Sequence, residues 1–185
     1  TFFLVGQKLH DPACRDLAKR ARAEGHRLGN HTFTHETPLG ADPDTDVVER
    51  ELVPTAHLLA GLGEECRLFR PFGGGGNLDR RLLKRSVVRW LERERWDCVL
   101  WNAIPRDWAD PDGWVDRALA QLDERPWTLM VLHDLPTGAM DHLERFLDEA
   151  AARGTRFRQD FPPDCVPIRQ GRAVLPLDAY VSDLD

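Results

Sequence analysis

Apolar positions along this chain fall into two spacings. Short runs of mostly apolar residues, Thr1–Val5, Cys66–Phe69, Cys98–Trp101 and Thr128–Leu132, have the length and aromatic or branched character of buried strands. Between them lie longer stretches in which apolar residues recur every three or four positions, the spacing of one helix face. These stretches predict helices over Asp11–Glu24, Asp46–Leu62, Leu78–Arg95, Pro111–Glu124 and Met140–Arg153. Asp11 followed by Pro12 is a helix start, and Gly25 is a stop. Pro54 lies inside the second stretch and predicts a kink or break there. His26–Asn30 reads as a short strand or turn, and the tail from Phe157 as a strand with irregular cover. Strand alternating with helix means an α/β protein with mostly parallel strands. Runs that are apolar throughout, not alternately, fit a sheet covered on both faces. The pattern does not choose between an open doubly wound sheet and a closed barrel. In both, reactive groups sit at the carboxyl ends of strands.

The length, 185 residues, suits one domain, and no Gly, Ser or Pro linker divides it, so residues 1–185 are expected to form a single domain. Hydrophobic residues at 42% and charged residues at 30% exclude disorder and collagen. No apolar run approaches the roughly 18 residues of a membrane span. A net charge of −6 argues against a nucleic-acid partner, which needs a basic face. Cys14, Cys66, Cys98 and Cys165 form no CxxC pair, so a cysteine zinc site is not expected, while one or two disulfides stay open. The chain does not begin with Met and shows no basic-then-apolar leader, so part of the gene product is expected upstream of Thr1, and localisation stays unassigned.

Chemistry gathers after the strands. His31 and His35 follow His26–Asn30, and two imidazoles four residues apart can lie on one side of a helical turn and grip one metal. The plain alternative is two surface or capping histidines. Glu36 could add a carboxylate but reads as solvated surface. Arg70, Pro71, Phe72 and Gly73 follow Leu68–Phe69; Pro71 has no N–H, so the Phe72 amide is the first free donor there. Gly73–Gly76 invites a phosphate reading but lacks Gly-Lys-Ser/Thr and the GxGxxG spacing, which argues against a nucleotide site. Asp107 and Trp108 follow Cys98–Trp101, an acid that could orient a base beside an indole that could wall a pocket. His133 and Asp134 follow Thr128–Leu132, and an imidazole at a strand end suits proton transfer. His10, His26, His57 and His142 read as structural.

In this order the segments resemble the polysaccharide deacetylase family, also called the NodB-homology or carbohydrate esterase family 4 domain. His31-Thr32-Phe33-Thr34-His35 resembles its H-S/T-x-x-H motif, and Phe69-Arg70-Pro71-Phe72-Gly73 its R-P-P-Y-G segment. Asp107-Trp108 resembles the end of its D-x-x-D-W motif, and Val131-Leu132-His133-Asp134 its L-x-H-D motif. The match runs from about Thr1 to Gly154. It implies a distorted, incomplete (β/α) barrel with its first strand missing here, and a metal-dependent hydrolase that removes N- or O-linked acetyl groups from a polysaccharide or related sugar. It implies that His31 and His35 hold a divalent metal, zinc, with an aspartate as third ligand. His133 would be the general acid, Asp107 would stabilise its imidazolium form, and Arg70 would pair with the catalytic base. The Phe72 amide would meet the oxyanion, Trp108 would wall the acetyl pocket, and Val131 would floor it. All these groups would have to converge on one cleft. A secreted or cell-envelope setting is also implied.

The departures are specific. The family's T-F-D-D-G motif supplies the base and a metal-ligand aspartate ahead of the strand that Thr1–Gly6 resembles, and no Asp-Asp pair occurs in residues 1–185. Phe72 stands for Tyr, Ile104 for the first Asp of the fourth motif, and Val131 for Leu. These 185 residues alone are therefore expected to be inactive or nearly so. The alternative expectation is a catalytically inactive carbohydrate-binding relative that lacks the base aspartate.

Overall fold

The computed structural model describes residues 1–184. The chain folds into two compact units, one made of Thr1–Leu100 with the stretch from Val166 onward, the other of Trp101–Cys165.

The first unit is built on a sheet of six short strands: β1 (Phe2–Leu4), β2 (Leu28–Asn30), β3 (Leu68–Phe69), β4 (Asp97–Cys98), β5 (Ile168–Arg169) and β6 (Arg172–Ala173). They lie side by side in chain order, β1 to β4 parallel, β5 and β6 antiparallel. A doubly wound sheet reverses its strand order at a switch point; this one does not, which answers the choice that periodicity left open. The sheet is open, in keeping with the incomplete barrel expected. The β5–β6 turn is Gln170-Gly171, both at positive φ (49° and 73°), the two-residue hairpin geometry that matches strand twist. Only glycine fits at 171, because a Cβ would stand 2.4 Å from the Glu92 carbonyl oxygen.

Helix α1 (Pro12–Ala23) starts where Asp11 accepts the Ala13 amide, and it packs Ala18 against Leu9, Leu28 and Leu59. The stretch predicted as one helix over Asp46–Leu62 is two, α2 (Val47–Glu51) and α3 (Val53–Gly61). Pro54 offers no N–H to the carbonyl four residues back, and the break falls at Leu52. The helix predicted over Leu78–Arg95 shortens to α4 (Arg85–Arg93). Ahead of it the Asp79 carboxylate takes the Arg81 amide (2.9 Å), a local alternative to a helical turn, and Leu83 instead bridges Val181.

The second unit packs α5 (Trp114–Asp123) with α6 (Leu143–Ala152). Trp114, Val115, Ala118 and Leu119 from α5 meet Phe146 and Ala150 from α6, and the Trp114 indole N–H donates to the Ala139 carbonyl (2.8 Å). The strand predicted over Thr128–Leu132 is a single parallel bridge, Ala103 to Met130. The Asn102 side chain explains the short ladder: its amide oxygen takes the Leu129 N–H (2.7 Å) and its NH2 donates to the Trp127 carbonyl (3.2 Å).

None of the four cysteines is disulfide-bonded among the described residues. No described helix is long and apolar enough to cross a membrane.

Candidate active site

In the first unit, β2 delivers His31. Its backbone N–H donates to the Leu4 carbonyl of β1, and the Arg70 N–H donates to the Asn30 carbonyl, so both neighbouring strands fix where β2 ends. The loop from 31 to 35 is not the helical turn that a four-residue spacing suggests. Thr32 and His35 both take left-handed backbone (φ 66° and 60°), costly for residues with a Cβ and a mark of strain held by surroundings. The result brings the two rings together by another route, with centroids 4.6 Å apart and Nε2 to Nε2 3.1 Å. His31 Nδ1 lies 2.8 Å from the Arg70 carbonyl oxygen. A carbonyl can only accept, so Nδ1 carries the proton and Nε2 keeps its lone pair aimed at His35.

Two nitrogens sharing one zinc at about 2.0–2.1 Å stand roughly 2.9–3.4 Å apart, and this pair lies in that range. The Nδ1–H to carbonyl bond is also the usual support for a metal-ligating histidine. The pair therefore fits two ligand positions. Among the described residues no group of three or more His, Cys, Asp or Glu side chains could hold a metal, so the third ligand implied by the resemblance is not found there.

Arg70 and Phe72 flank the pair. Arg70 is buried; its guanidinium donates to the carbonyls of Val99 and Leu100 (3.2 Å each) and lies 4.2 Å from the Phe3 ring centroid. Phe72 packs its ring on His35, centroids 4.0 Å apart.

In the second unit, Asp107 is fully buried at the end of a loop that passes Arg106 at φ 60°. One carboxylate oxygen accepts the His133 backbone N–H (2.7 Å) and the other faces His133 Nδ1 (3.0 Å). The Nδ1 proton is thus committed to Asp107, and Nε2 is the ring atom left to exchange a proton. Trp108 stands edge-on to the same ring, centroids 4.8 Å apart at 81°. Val131 is half-buried and tied by its N–H to the Ala103 carbonyl (3.1 Å). Asp107, Trp108 and His133, separated by up to 26 residues in sequence, form one cluster.

Sequence reasoning missed the groups that hold the histidine loop. Asn30, fully buried, accepts the Thr32 N–H with its side-chain oxygen (3.0 Å) and donates to the Leu52 carbonyl (2.9 Å). Glu51, at the end of α2, accepts the amides of Phe33 (3.1 Å) and Thr34 (2.9 Å) and the Thr34 hydroxyl (2.9 Å). Thr55 donates its hydroxyl to the Thr32 carbonyl (3.1 Å). A signal was present: Val47, Glu51, Thr55 and Leu59 recur every four residues and all are buried, so a glutamate sits in a stripe otherwise apolar or neutral.

Comparisons with known proteins find relatives in sequence and in fold. Residues 1–87 match the polysaccharide deacetylase family. A chitooligosaccharide deacetylase of Rhizobium leguminosarum bv. trifolii is 34% identical over 138 residues, which cover 72% of this chain; the chain spans only 58% of that protein's length. A solved peptidoglycan N-acetylglucosamine deacetylase superposes with TM-score 0.70 at 24% identity, over 92% of this chain and 76% of the other. A family 4 pseudoenzyme from Bacillus anthracis superposes with TM-score 0.68 at 20% identity, over 84% and 51%. With the H-x-x-x-H pair, the Arg-Pro segment, the Asp-Trp step and the His-Asp end all present in order, the chain belongs to the polysaccharide deacetylase family, the NodB-homology domain of carbohydrate esterase family 4.

Proposed function

We propose that this protein removes N- or O-linked acetyl groups from a polysaccharide or related acetylated sugar, with His31 and His35 holding a divalent metal, zinc in this reading. Residues 1–185 form its NodB-homology catalytic domain. The observation that carries the proposal is the imidazole pair: two Nε2 atoms 3.1 Å apart, with the Nδ1–H of His31 donated to the Arg70 carbonyl so that Nε2 is the nitrogen turned to His35. Family members are in general dependent on a divalent metal. When bound, such an ion polarises the acetyl carbonyl and eases ionisation of water.

The chain's own residues supply the rest, and the roles are assigned unit by unit. In the first, the Phe72 N–H donates to the oxyanion that develops on the acetyl oxygen. The Arg70 guanidinium favours the ionised form of the catalytic carboxylate, whose family counterpart is the Asp-Asp pair. In the second, His133 Nε2 gives its proton to the leaving amine or alkoxide, with Asp107 fixing the ring through Nδ1 and stabilising the charged imidazolium. Trp108 limits the acetyl group on one side and Val131 on another.

A second reading is a carbohydrate-binding relative without turnover. It is favoured by the absence of an Asp-Asp pair within residues 1–185. It predicts binding to acetylated glycans with no release of acetate. Elemental analysis of the full-length protein tests the metal pair. The wild type is expected to carry about one zinc per chain and His31→Ala none; equal metal content in both contradicts the assignment. An acetate-release screen over acetylated chito-oligosaccharides, xylan and peptidoglycan then separates enzyme from binder.

A further inference from the structure

Glu51 is a carboxylate only 4% exposed, yet the reaction gives it no direct task. Its surroundings do. Between the two histidines the backbone turns through a left-handed residue at 32 and again at 35, and such turns point successive N–H groups into one concavity that suits an anion. Glu51 fills it. Oε2 accepts the Phe33 and Thr34 amides together, and Oε1 accepts the Thr34 hydroxyl. On its far side Oε1 also takes the Arg50 Nε (3.2 Å), and Arg50 is paired in turn with Asp42 and Asp44. The burial of the charge is thus compensated by three donors from the loop and one guanidinium. The amides of residues 31 to 34 are all committed: the first to Leu4, the second to Asn30, the third and fourth to Glu51. Asn30 and Glu51 therefore set the loop conformation, Asn30 at left-handed Thr32 and Glu51 at Phe33 and Thr34, the two residues that lead into left-handed His35.

We infer that Glu51 is a positioning residue for the imidazole pair: by accepting the two amides between His31 and His35 it holds His35 in left-handed backbone and keeps the two Nε2 atoms at metal-sharing distance. This rests on the reading of His31 and His35 as metal ligands. Losing a supporting partner of this kind costs roughly 10–100-fold in metal affinity. Glutamine keeps the shape but offers one acceptor and turns an NH2 toward the Arg50 guanidinium, so it holds the loop less well.

The test titrates Zn2+ alone into wild type, His31→Ala, Glu51→Gln and Glu51→Ala full-length protein. Thermal melts of the metal-free proteins and the d–d absorption of the Co2+ forms are recorded alongside. Expected are loss of binding in His31→Ala, a Kd weakened about 10-fold in Glu51→Gln and about 100-fold in Glu51→Ala, and a Co2+ band altered in both Glu51 variants. Where Glu51→Ala does not fold, Glu51→Gln decides. Zinc binding lost in His31→Ala but unchanged within about twofold in Glu51→Gln, with an unaltered Co2+ spectrum, overturns the inference while leaving the metal pair standing, even if the metal-free melting temperature falls. Zinc binding retained in His31→Ala overturns the reading beneath it and the inference with it.

Discussion

His133 depends on one carboxylate for both its backbone and its ring. Replacing it removes the proposed proton donor without opening the core, since its side chain is 29% exposed. His133→Ala is expected to lower turnover by about 10²-fold or more with a near-native melting temperature; retained acetate release reassigns the acid. Cys98 gives an independent check on the core of the first unit. Burial pushes its thiol up to about 12, with the Arg70 charge acting in the opposite direction. A thiol whose folded value lies above the unfolded one, about 8.5, stabilises the fold fully below that unfolded value. This contribution fades as pH climbs toward 12. At pH 8 iodoacetamide is expected to label the exposed Cys66 and to spare Cys98 until the chain is unfolded; mass spectrometry reads the difference. The candidate site residues stood out in the sequence because their types are conspicuous where a chain leaves a strand. Glu51 and Asn30 left only faint signals, a carboxylate in an otherwise apolar or neutral stripe and a polar residue beside the histidines, because what makes them matter is a set of contacts 2 to 22 residues away.

At the scale of elements, the sheet is assembled from strands of two or three residues, so its order rests on close packing between neighbours and little on ladder length. Gly29 shows how close. A Cβ at this position of β2 would lie 2.5 Å from the Phe3 ring of β1 and 3.1 Å from the Leu68 carbonyl of β3. Gly29→Ala is expected to cost about 1–3 kcal/mol in urea unfolding and to disturb His31, two residues on; an unchanged midpoint contradicts the packing described. Element existence was legible from period: five helical stretches and the apolar runs each left a trace in the structure. Their lengths were not. Pro54 broke one helix as its missing N–H requires, but side chains of Asp79 and Asn102 captured backbone amides that a helix or a strand would have used. Such captures are chosen by tertiary neighbours, and they trimmed two elements that periodicity alone extends.

At the scale of the molecule, each unit carries its own apolar cluster. Leu9, Ala18, Leu28 and Leu59 belong to the first, and Trp114, Val115, Phe146 and their neighbours to the second. Family membership was legible because the motifs recur in order, although each is weak by itself. The most direct measurement is acetate release from acetylated chito-oligosaccharide by the full-length protein before chelation, after chelation, and after return of Zn2+, with His31→Ala beside it. The account predicts release that falls to background with chelator, returns with the metal in the wild type, and stays at background in His31→Ala. Release that is indifferent to the chelator, or equal in the variant, would contradict it.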